Sequence, residues 1–409
     1  MDKKQGRLDG FMPETRRVRL LAVSHLFKNP LEHSKLPHLE DLFRALSQNI
    51  DVEVIAPVPW YPPIRFPRRW HRFSQIPREH AYGDVRVRYP RQFVLPARML
   101  YFRAARSFLR TLRRTTSGEP YDVIWAHYAY PDGWAAVKLG AERGLPVIVT
   151  VRGEDVRSDV KHIGVRPLVE WTLAAADVVT SPHPETTELA RGLGREKIVE
   201  LNNSLNVKRF ASGDGRKIRQ EVGLGDEFVV TFVAHLVEFR DPKSFVEAAA
   251  QVPTDEPIVF LMVGSTGRGR EQVNLRGLAE DLGVRDRVKF LGDRGDIPDI
   301  LAASDLFVSL SPYENIWNNA LLEAMASGTP CIVTQVGLTD QYLRHQKEAW
   351  LVPPRSPAQI SEAIQRLRAD PSLREELAQR AFSLVSAKFD LPMVRDQALN
   401  LLWGLAAKS

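Results

Sequence analysis

The stretch from Ser304 to Thr334, SDLFVSLSPYENIWNNALLEAMASGTPCIVT, restricts the fold more than any other part of the 409-residue chain. Leu306 to Leu310 is an apolar run of strand length, and Ser311 to Asn315 is a polar turn carrying Pro312. From Asn319 the period changes: Ala320, Leu321, Ala324 and Met325 recur at helical spacing until Ser327-Gly328 stops them. Pro330 then precedes a second apolar run, Cys331 to Val333. Strand, loop, helix and strand in that order make a unit of an open α/β sheet. Asn318 or Asn319 can cap the helix, so that its free N–H groups and positive dipole end face the loop, a ready anion site. Glu323 lies about one turn inside the helix on an otherwise apolar face. Burying that carboxylate requires partners, and the two hydroxyls of a diol supply them.

The same alternation runs along the whole chain. Val18 to Val23 reads as the first strand, a helix follows over 36–48, and Val52 to Pro57 is the second strand, an opening βαβ unit. Strands are expected again at Tyr121 to Trp125, Pro146 to Val151, Ala175 to Thr180 and Lys197 to Leu201. A second series begins at Phe228 to Val233 and continues through Ile258 to Val263, Val288 to Leu291, Leu306 to Leu310 and Cys331 to Val333. The expected organisation is a disordered basic tail over 1–17, an N-terminal domain over 18–208, a C-terminal domain over 209–390 and a final amphipathic helix within 391–409.

Hydrophobic and charged contents of 44% and 26% are those of an ordinary globular chain. A single cysteine, Cys331, sits in an expected buried strand, which excludes intrachain disulfides and fits a reducing compartment. No apolar run approaches the roughly 18 residues of a membrane span, and the N-terminus lacks a secretory signal's apolar segment. The expected location is cytoplasmic.

Charge is unevenly placed. Residues 60–114 hold fourteen arginines, no lysine and two acids, a net +12 in a chain whose total is +6. Residues 57–77 are Pro-rich and resist regular structure, whereas 97–114 read as a helix. Arg103, Arg106, Arg110 and Arg113 follow one face of it, and Tyr101, Ala105, Phe108 and Leu112 another. Such a helix either lies on an anionic membrane surface or packs its apolar side on its own sheet under a solvated basic face. No nucleic-acid-binding module accompanies the arginines, so nucleic acid is not the expected partner.

These residues together resemble the retaining glycosyltransferases of the GT-B fold, specifically family 4 (glycosyl transferases group 1), over nearly everything from Val18 to Asp390. The likeness rests on DVIWAH ending at His127, TVRGED (Thr150 to Asp155), LNNSLNVKRF (Leu201 to Phe210), FVAHLVEFRDPKSF (Phe232 to Phe245), VKFLGDR (Val288 to Arg294), SPYENIWNNALLEAMASGTP and WLVPP (Trp350 to Pro354). It implies two Rossmann-like, doubly wound parallel-sheet domains facing a cleft, with the C-terminal helix crossing back to the N-terminal domain. It further implies transfer of a sugar from a UDP- or GDP-linked donor to a glycan or lipid-linked acceptor, with no cofactor and no metal.

By the same likeness the catalytic residues are Arg240, Glu314 and Glu323. His235, Lys243, Gly264, Arg294, Asn315, Trp317, Asn318 and Asn319 fall on the donor side, and His127, Arg152 and Asp155 on the acceptor side. Arg152 and Asp155 can equally form a structural ion pair. The GSTGRG run at Gly264 follows a strand, but no acidic residue ends the next strand, so it reads as a flexible loop lining the donor site, not a dinucleotide fingerprint. The chain departs from the family where His235 replaces an arginine and Arg240 a lysine, and where Asn206 stands near the crossover. One residue more than the family pattern separates Glu314 from Glu323, so that Asn315 can take the first position. These departures motivate an alternative, a catalytically reduced member serving as a binding or scaffold subunit.

Overall fold

The computed structural model describes residues 17–31, 37–60, 68–94, 100–266, 273–313 and 317–408. Tertiary contacts divide the chain into two units, Met1–Thr180 with Leu193–Ile198 and Ala398–Ser409, and Ser181–Gly192 with Val199–Gln397.

The first unit contains β1 (Arg19–Val23), β2 (Asp51–Ile55), β3 (Val58–Pro59), β4 (Glu79–Tyr82), β5 (Val85–Arg88), β6 (Arg91–Gln92), β7 (Val123–His127), β8 (Val147–Thr150) and β9 (Val178–Ser181). Its main sheet runs in the order β9-β8-β7-β1-β2-β5-β4. Every pairing described within it is parallel except that of β4 with β5. Central strands are buried on both faces, which is why LLAV (Leu20–Val23) and VIWAH are continuous apolar runs and do not alternate. The order reverses at β1, with β2 on one side and β7 on the other. At such a point the crossovers leave in opposite directions and open a crevice at the strands' C-terminal ends.

The second unit contains the two-residue β10 (Val199–Glu200) and a six-stranded sheet of β11 (Phe228–Val233), β12 (Ile258–Val263), β13 (Val288–Gly292), β14 (Leu306–Ser309), β15 (Cys331–Thr334) and β16 (Trp350–Val352). The order is β13-β12-β11-β14-β15-β16, all parallel, and reverses between β11 and β14. Phe232, Phe245 and Phe260 fill one side of this sheet, with ring centroids 5.3 and 5.7 Å apart. On the other side Trp317 packs against Phe389 at 4.9 Å. Cys331 is fully buried in β15, where loss of solvation pushes its thiol pKa up.

Several expectations are corrected. The boundary expected at 208/209 is not where contacts divide the chain, because 199–208 group with the second unit. There the N–H of Leu205 bonds the carbonyl of Phe389 at 2.7 Å and that of Leu391 bonds Leu205 at 2.9 Å. The last helix is Leu391–Ala406, and its residues from Ala398 belong to the first unit. Within 57–77, β3 pairs with β6 and a helix spans Arg68–Ser74, while 61–67 lie outside the described residues. The hairpin β4–β5 was not anticipated. The tail expectation falls outside the described residues except at Arg17, which donates to the carbonyls of Ser47 (2.6 Å) and Ile50 (3.2 Å).

The Arg-rich helix is Ala104–Thr115, preceded by a 3-10 turn over Tyr101–Arg103. Ala105, Phe108, Leu109 and Leu112 are buried in the first unit itself, so the helix does not lay that face on a membrane. Among the described residues no helix is long and apolar enough to cross a membrane.

Candidate functional site

In the second unit the site is built where the strand order reverses. After β11 the chain turns through Ala234 and His235, and after β14 it passes Leu310 and reaches Asn318 and Asn319. A recess of about 200 Å³ between these turns is lined by His235, Arg240, Ser309, Asn318, Asn319 and Ala320, among others.

Ala234, in the lining of this recess, is approached closely by Gly264. That residue follows β12 with φ of 134°, and a Cβ there would stand 1.8 Å from the Ala234 carbonyl oxygen, so only glycine lets the two turns approach. Gly264 itself faces a second recess of about 490 Å³, with Leu236, Thr266, Asn274, Phe290 and Gly292.

His235 is exposed, and its Nδ1 lies 2.8 Å from Ser265 Oγ, which fixes the ring. Arg240 closes the 3-10 turn Glu238–Arg240, its guanidinium 5.2 Å from the Phe239 ring, and Phe239 stacks on Tyr313 at 5.4 Å. The arginine is thus held by an aromatic pair that joins the β11 turn to the β14 turn.

Asn318 is the N-cap of the helix Asn319–Ala326. Its Oδ1 accepts from the Leu321 N–H at 3.0 Å, and its Nδ2 donates to Ser309 Oγ at 3.0 Å. The N–H groups of Asn319 and Ala320, in the first helical turn, have no intrahelical acceptor and lie in the wall of the recess. Trp317 has φ of 55° and a ring that is 1% exposed, packed on Phe389 and Tyr342. It anchors the loop with its side chain and offers a ligand only backbone.

Glu323 follows Asn319 and Ala320 by four and three residues and so shares their helix face. Its carboxyl forms no hydrogen bond or ion pair among the described residues. Burial pushes its pKa up to about 7, against a smaller downward pull from the Arg209 guanidinium. Arg209 was not anticipated. It lies in the short helix Val207–Ala211, whose cap is Asn206, accepting from the Arg209 N–H at 3.1 Å.

The remaining donor-side expectations divide. Arg294 is not brought to the recess: it forks onto Glu221 (2.5 and 2.8 Å) and Asp296 (2.8 and 2.6 Å), which raise its pKa and occupy its donors. Lys243 is exposed on the helix Pro242–Gln251 and is not part of the recess lining. Glu314 and Asn315, with the loop at Gly267 and Gly269, lie outside the described residues.

In the first unit the acceptor-side residues meet at the C-terminal ends of β7 and β8. His127, the last residue of β7, is fully buried, stacked on Trp125 at 5.1 Å. Its Nδ1 accepts from Arg152 Nη2 at 2.7 Å, so its proton resides on Nε2, which has no hydrogen-bond partner in the described structure. Burial, then Arg152 and His38, drive its pKa well below the usual imidazole value and keep it neutral. Arg152 Nη1 also reaches His38 Nε2 at 3.2 Å, and burial lowers the guanidinium pKa to about 10.

Asp155 does not form the ion pair with Arg152 that the sequence allowed. Its carboxylate accepts the backbone N–H groups of Ala129 (2.7 Å), Arg152 (2.9 Å) and Gly153 (2.9 Å), and burial raises its pKa to about 6. Asp155 fastens the loop that carries Arg152. His25, Asp132 and His38 meet at the same strand ends and were missed. A histidine two residues past an opening strand, and an acid five past the DVIWAH strand, were the available signals.

Two family descriptions match: "Glycosyl transferases group 1" over residues 214–383 and "Glycosyl transferase 4-like domain" over 37–203. The D-inositol 3-phosphate glycosyltransferase of Acidothermus cellulolyticus is 31% identical over 316 residues, 70% of this chain and 67% of that one. The N-acetyl-alpha-D-glucosaminyl L-malate synthase of Bacillus anthracis is 27% identical over 279 residues, 66% and 71% of the respective chains. Among solved structures, Anabaena HepE in complex with UDP superposes with a TM-score of 0.73 at 19% identity, covering 95% of this chain and 100% of that one. The fold is GT-B; the chain belongs to the glycosyl transferases group 1 and is a glycosyltransferase of the hexosyltransferase type.

Proposed function

We propose that this enzyme moves a hexose from a UDP-linked donor, with retention of configuration, to a hydroxyl of a glycan or lipid-linked acceptor. The observation that carries the reading is the reversal point of the second sheet. One recess there has Arg240, His235 and two open helix N–H groups in its wall, and the unpaired Glu323 carboxyl stands on the same helix face. When the bond from the anomeric carbon to the diphosphate breaks, negative charge grows on the leaving phosphate. Fixed cations and a helix N-terminus lower that barrier most, since they need no reorganisation. Glu323 accepts the ribose hydroxyls, and the recess at Gly264 and Phe290 takes the base. With the leaving charge met by side chains, no metal is required. UDP is favoured over GDP because it is the nucleotide bound by Anabaena HepE.

Thermal shift and nucleotide release with UDP-glucose, UDP-galactose, UDP-N-acetylglucosamine and GDP-mannose, with and without EDTA, test this. UDP-sugars should stabilise the protein and release UDP regardless of EDTA. Stabilisation without release from any donor would favour the scaffold alternative, and no stabilisation by any would sink the reading.

The reading includes an anionic membrane as the place where the acceptor is met. Arg103, in the turn before the helix Ala104–Thr115, and Arg106 and Arg110 on that helix are exposed, whereas Arg113 is paired with Glu142. Beside them stand exposed Trp60, Phe93 and Leu100 (48%, 62% and 46%). Two bonds tie parts of this surface together: Trp60 N–H bonds the Gln92 carbonyl, and Ser107 Oγ bonds that of Phe93 at 2.9 Å. Each arginine near an anionic surface contributes about 1 kcal/mol. The protein should float with phosphatidylglycerol vesicles at low salt, and an R103E/R106E/R110E variant should not. A wild-type protein that stays at the bottom of the gradient refutes the docking.

A further inference from the structure

We propose that a groove on the second unit, separate from the donor recess, binds a neutral hexose chain and holds the enzyme on the glycan it extends; that the ligand is a glycan rests on the acceptor class proposed above. The groove measures about 700 Å³, and Gln251, Gln346, Trp350, Ser361 and Gln365 are among the residues that line it. They converge from three places. Gln251 ends the helix Pro242–Gln251, Gln346 lies in the turn before Trp350 opens β16, and Ser361 and Gln365 lie on the helix Pro357–Ala369. The helix that Gln251 ends begins beside the Arg240 turn, and its 10 residues rise about 15 Å. The groove therefore stands at the far end of that helix from the donor recess.

Its lining is amide and aromatic where a solvated helix face would be charged. Three of the chain's fourteen glutamines meet here from separate segments. Of the two charged residues in the wall, Glu362 and Arg366, the arginine is paired with Asp370 at 3.6 Å. A wall of this kind has no pull on phosphate, but an amide donates and accepts as a sugar hydroxyl does. Gln365 Nε2 donates to Ser361 Oγ at 3.2 Å, and the Gln346 amide lies 3.1 Å from His345 Nε2, so both side chains are held in place. The Gln251 amide forms no hydrogen bond among the described residues. Gln346 has φ of 57°, which glycine would adopt at less cost, so its amide is kept at the expense of the backbone. Trp350 is half-buried, packed on the core of the second sheet and met edge-on by the His345 ring at 5.0 Å. Its indole N–H forms no hydrogen bond among the described residues, whereas that of Trp125 donates to Thr150 Oγ1 at 2.7 Å. An indole presents an apolar body to the C–H face of a hexose and a donor to its hydroxyls.

The shape suits a chain of sugars. On the helix Pro357–Ala369 the lining falls at Ala358, Ser361, Glu362, Gln365 and Arg366, one face about 12 Å long. Ile360, Ala363, Ile364 and Leu367, on the opposite face, are buried and fix the helix. A protein partner would need a cluster of apolar anchors at the centre of its contact, and one indole among amides does not supply it. A transferase held on the chain it extends meets the next acceptor hydroxyl at a raised effective concentration. The groove touches no reacting atom.

The test is native electrophoresis of the full chain in gels carrying dextran, soluble starch, glucomannan or galactan, neutral polymers that do not engage the arginines of the first unit. At least one of them should retard the wild-type protein, and UDP in the gel should not relieve the retardation. Q251A/Q365A should bind that polymer about tenfold or more weakly, and W350F, which keeps the packing and loses the N–H, should weaken binding as well. Thermal stabilisation of both variants by UDP should stay that of wild type, which shows them folded with the donor site intact. No retardation of wild type by any polymer, or equal retardation of wild type and both variants, overturns the groove and leaves the donor site standing. Retardation relieved by UDP moves the glycan to the transfer site and overturns it too. A dimer on gel filtration that Q251A/Q365A abolishes, without retardation, gives the groove to a second copy of this chain instead. Absence of UDP stabilisation in wild type overturns the proposed function and not the groove, because retardation needs no donor.

Discussion

UDP-glucose should bind Glu323→Gln about tenfold or more weakly than wild type at pH 8, and the difference should nearly close at pH 6. The cause is the state of the carboxyl before ligand arrives. Burial holds it at about 7, with only the Arg209 charge pulling the other way. Two ribose hydroxyls donating to it favour the ionised form, so the complex has a lower pKa than the free protein. By linkage, affinity then rises with pH through about 7, with one pKa unit worth a factor of ten. Glutamine offers one neutral acceptor and no such slope. UDP-glucose is the right probe because its diphosphate does not titrate between pH 6 and 8. Isothermal titration at both pH values decides the matter, and equal affinities at pH 8 would remove Glu323 from the donor site.

The same shift predicts the reverse effect on the free protein. The folded-state pKa lies above the unfolded value of 4.5, so the stability tied to this group is fully present below about 4.5 and is lost as pH rises through 7. Without nucleotide, Glu323→Gln should melt no lower than wild type at pH 8. A residue that weakens the empty protein and strengthens the loaded one is held for its ligand.

How much of this was legible in the sequence depended on how far each residue's partners lie along the chain. Strands β1, β7, β11 and β14 are buried on both faces, so their apolar runs announce them. The Asn318 cap was legible because the Leu321 N–H that donates to its side-chain oxygen lies three residues away. The hairpin β4–β5 was hidden by its charges: Val85 and Val87 point inward, but Arg88 between sheet and surface is bonded to Tyr121 (3.1 Å) and paired with Glu53 (2.5 Å). Arg294 fitted a family motif yet is occupied by Glu221, 73 residues earlier. The Arg152–His127 contact was half visible, since both residues were singled out but their bond was not. His25 and Asp132 were marked only by their places just past two strands, and the adjacency of β1 and β7, which no local pattern shows, is what makes them a pair.

Arg240→Ala should lower kcat for sugar transfer by about 10²–10³-fold, the cost of removing one fixed group that faces charge developing in the transition state. The geometry argues that the group is fixed. Its turn ends at Asp241, which has φ of 48°, and the helix begins at Pro242, so the backbone on its C-terminal side is set. Its guanidinium lies over Phe239, which Tyr313 holds from the opposite turn. His235→Ala should cost less, because that ring is exposed and one nitrogen is engaged by Ser265. Arg240→Lys restores the charge without the planar fork and the stacking, so it should recover only part of the rate. The cation–π contact with Phe239 contributes about 0.5–1 kcal/mol, and the melting temperature of each variant separates a folding effect from a catalytic one. UDP, the product, should bind Arg240→Ala more weakly in parallel. Steady-state kinetics on the three variants separate the cases, and an Arg240→Ala enzyme within threefold of the wild-type kcat would leave the helix N–H groups alone as the anion site.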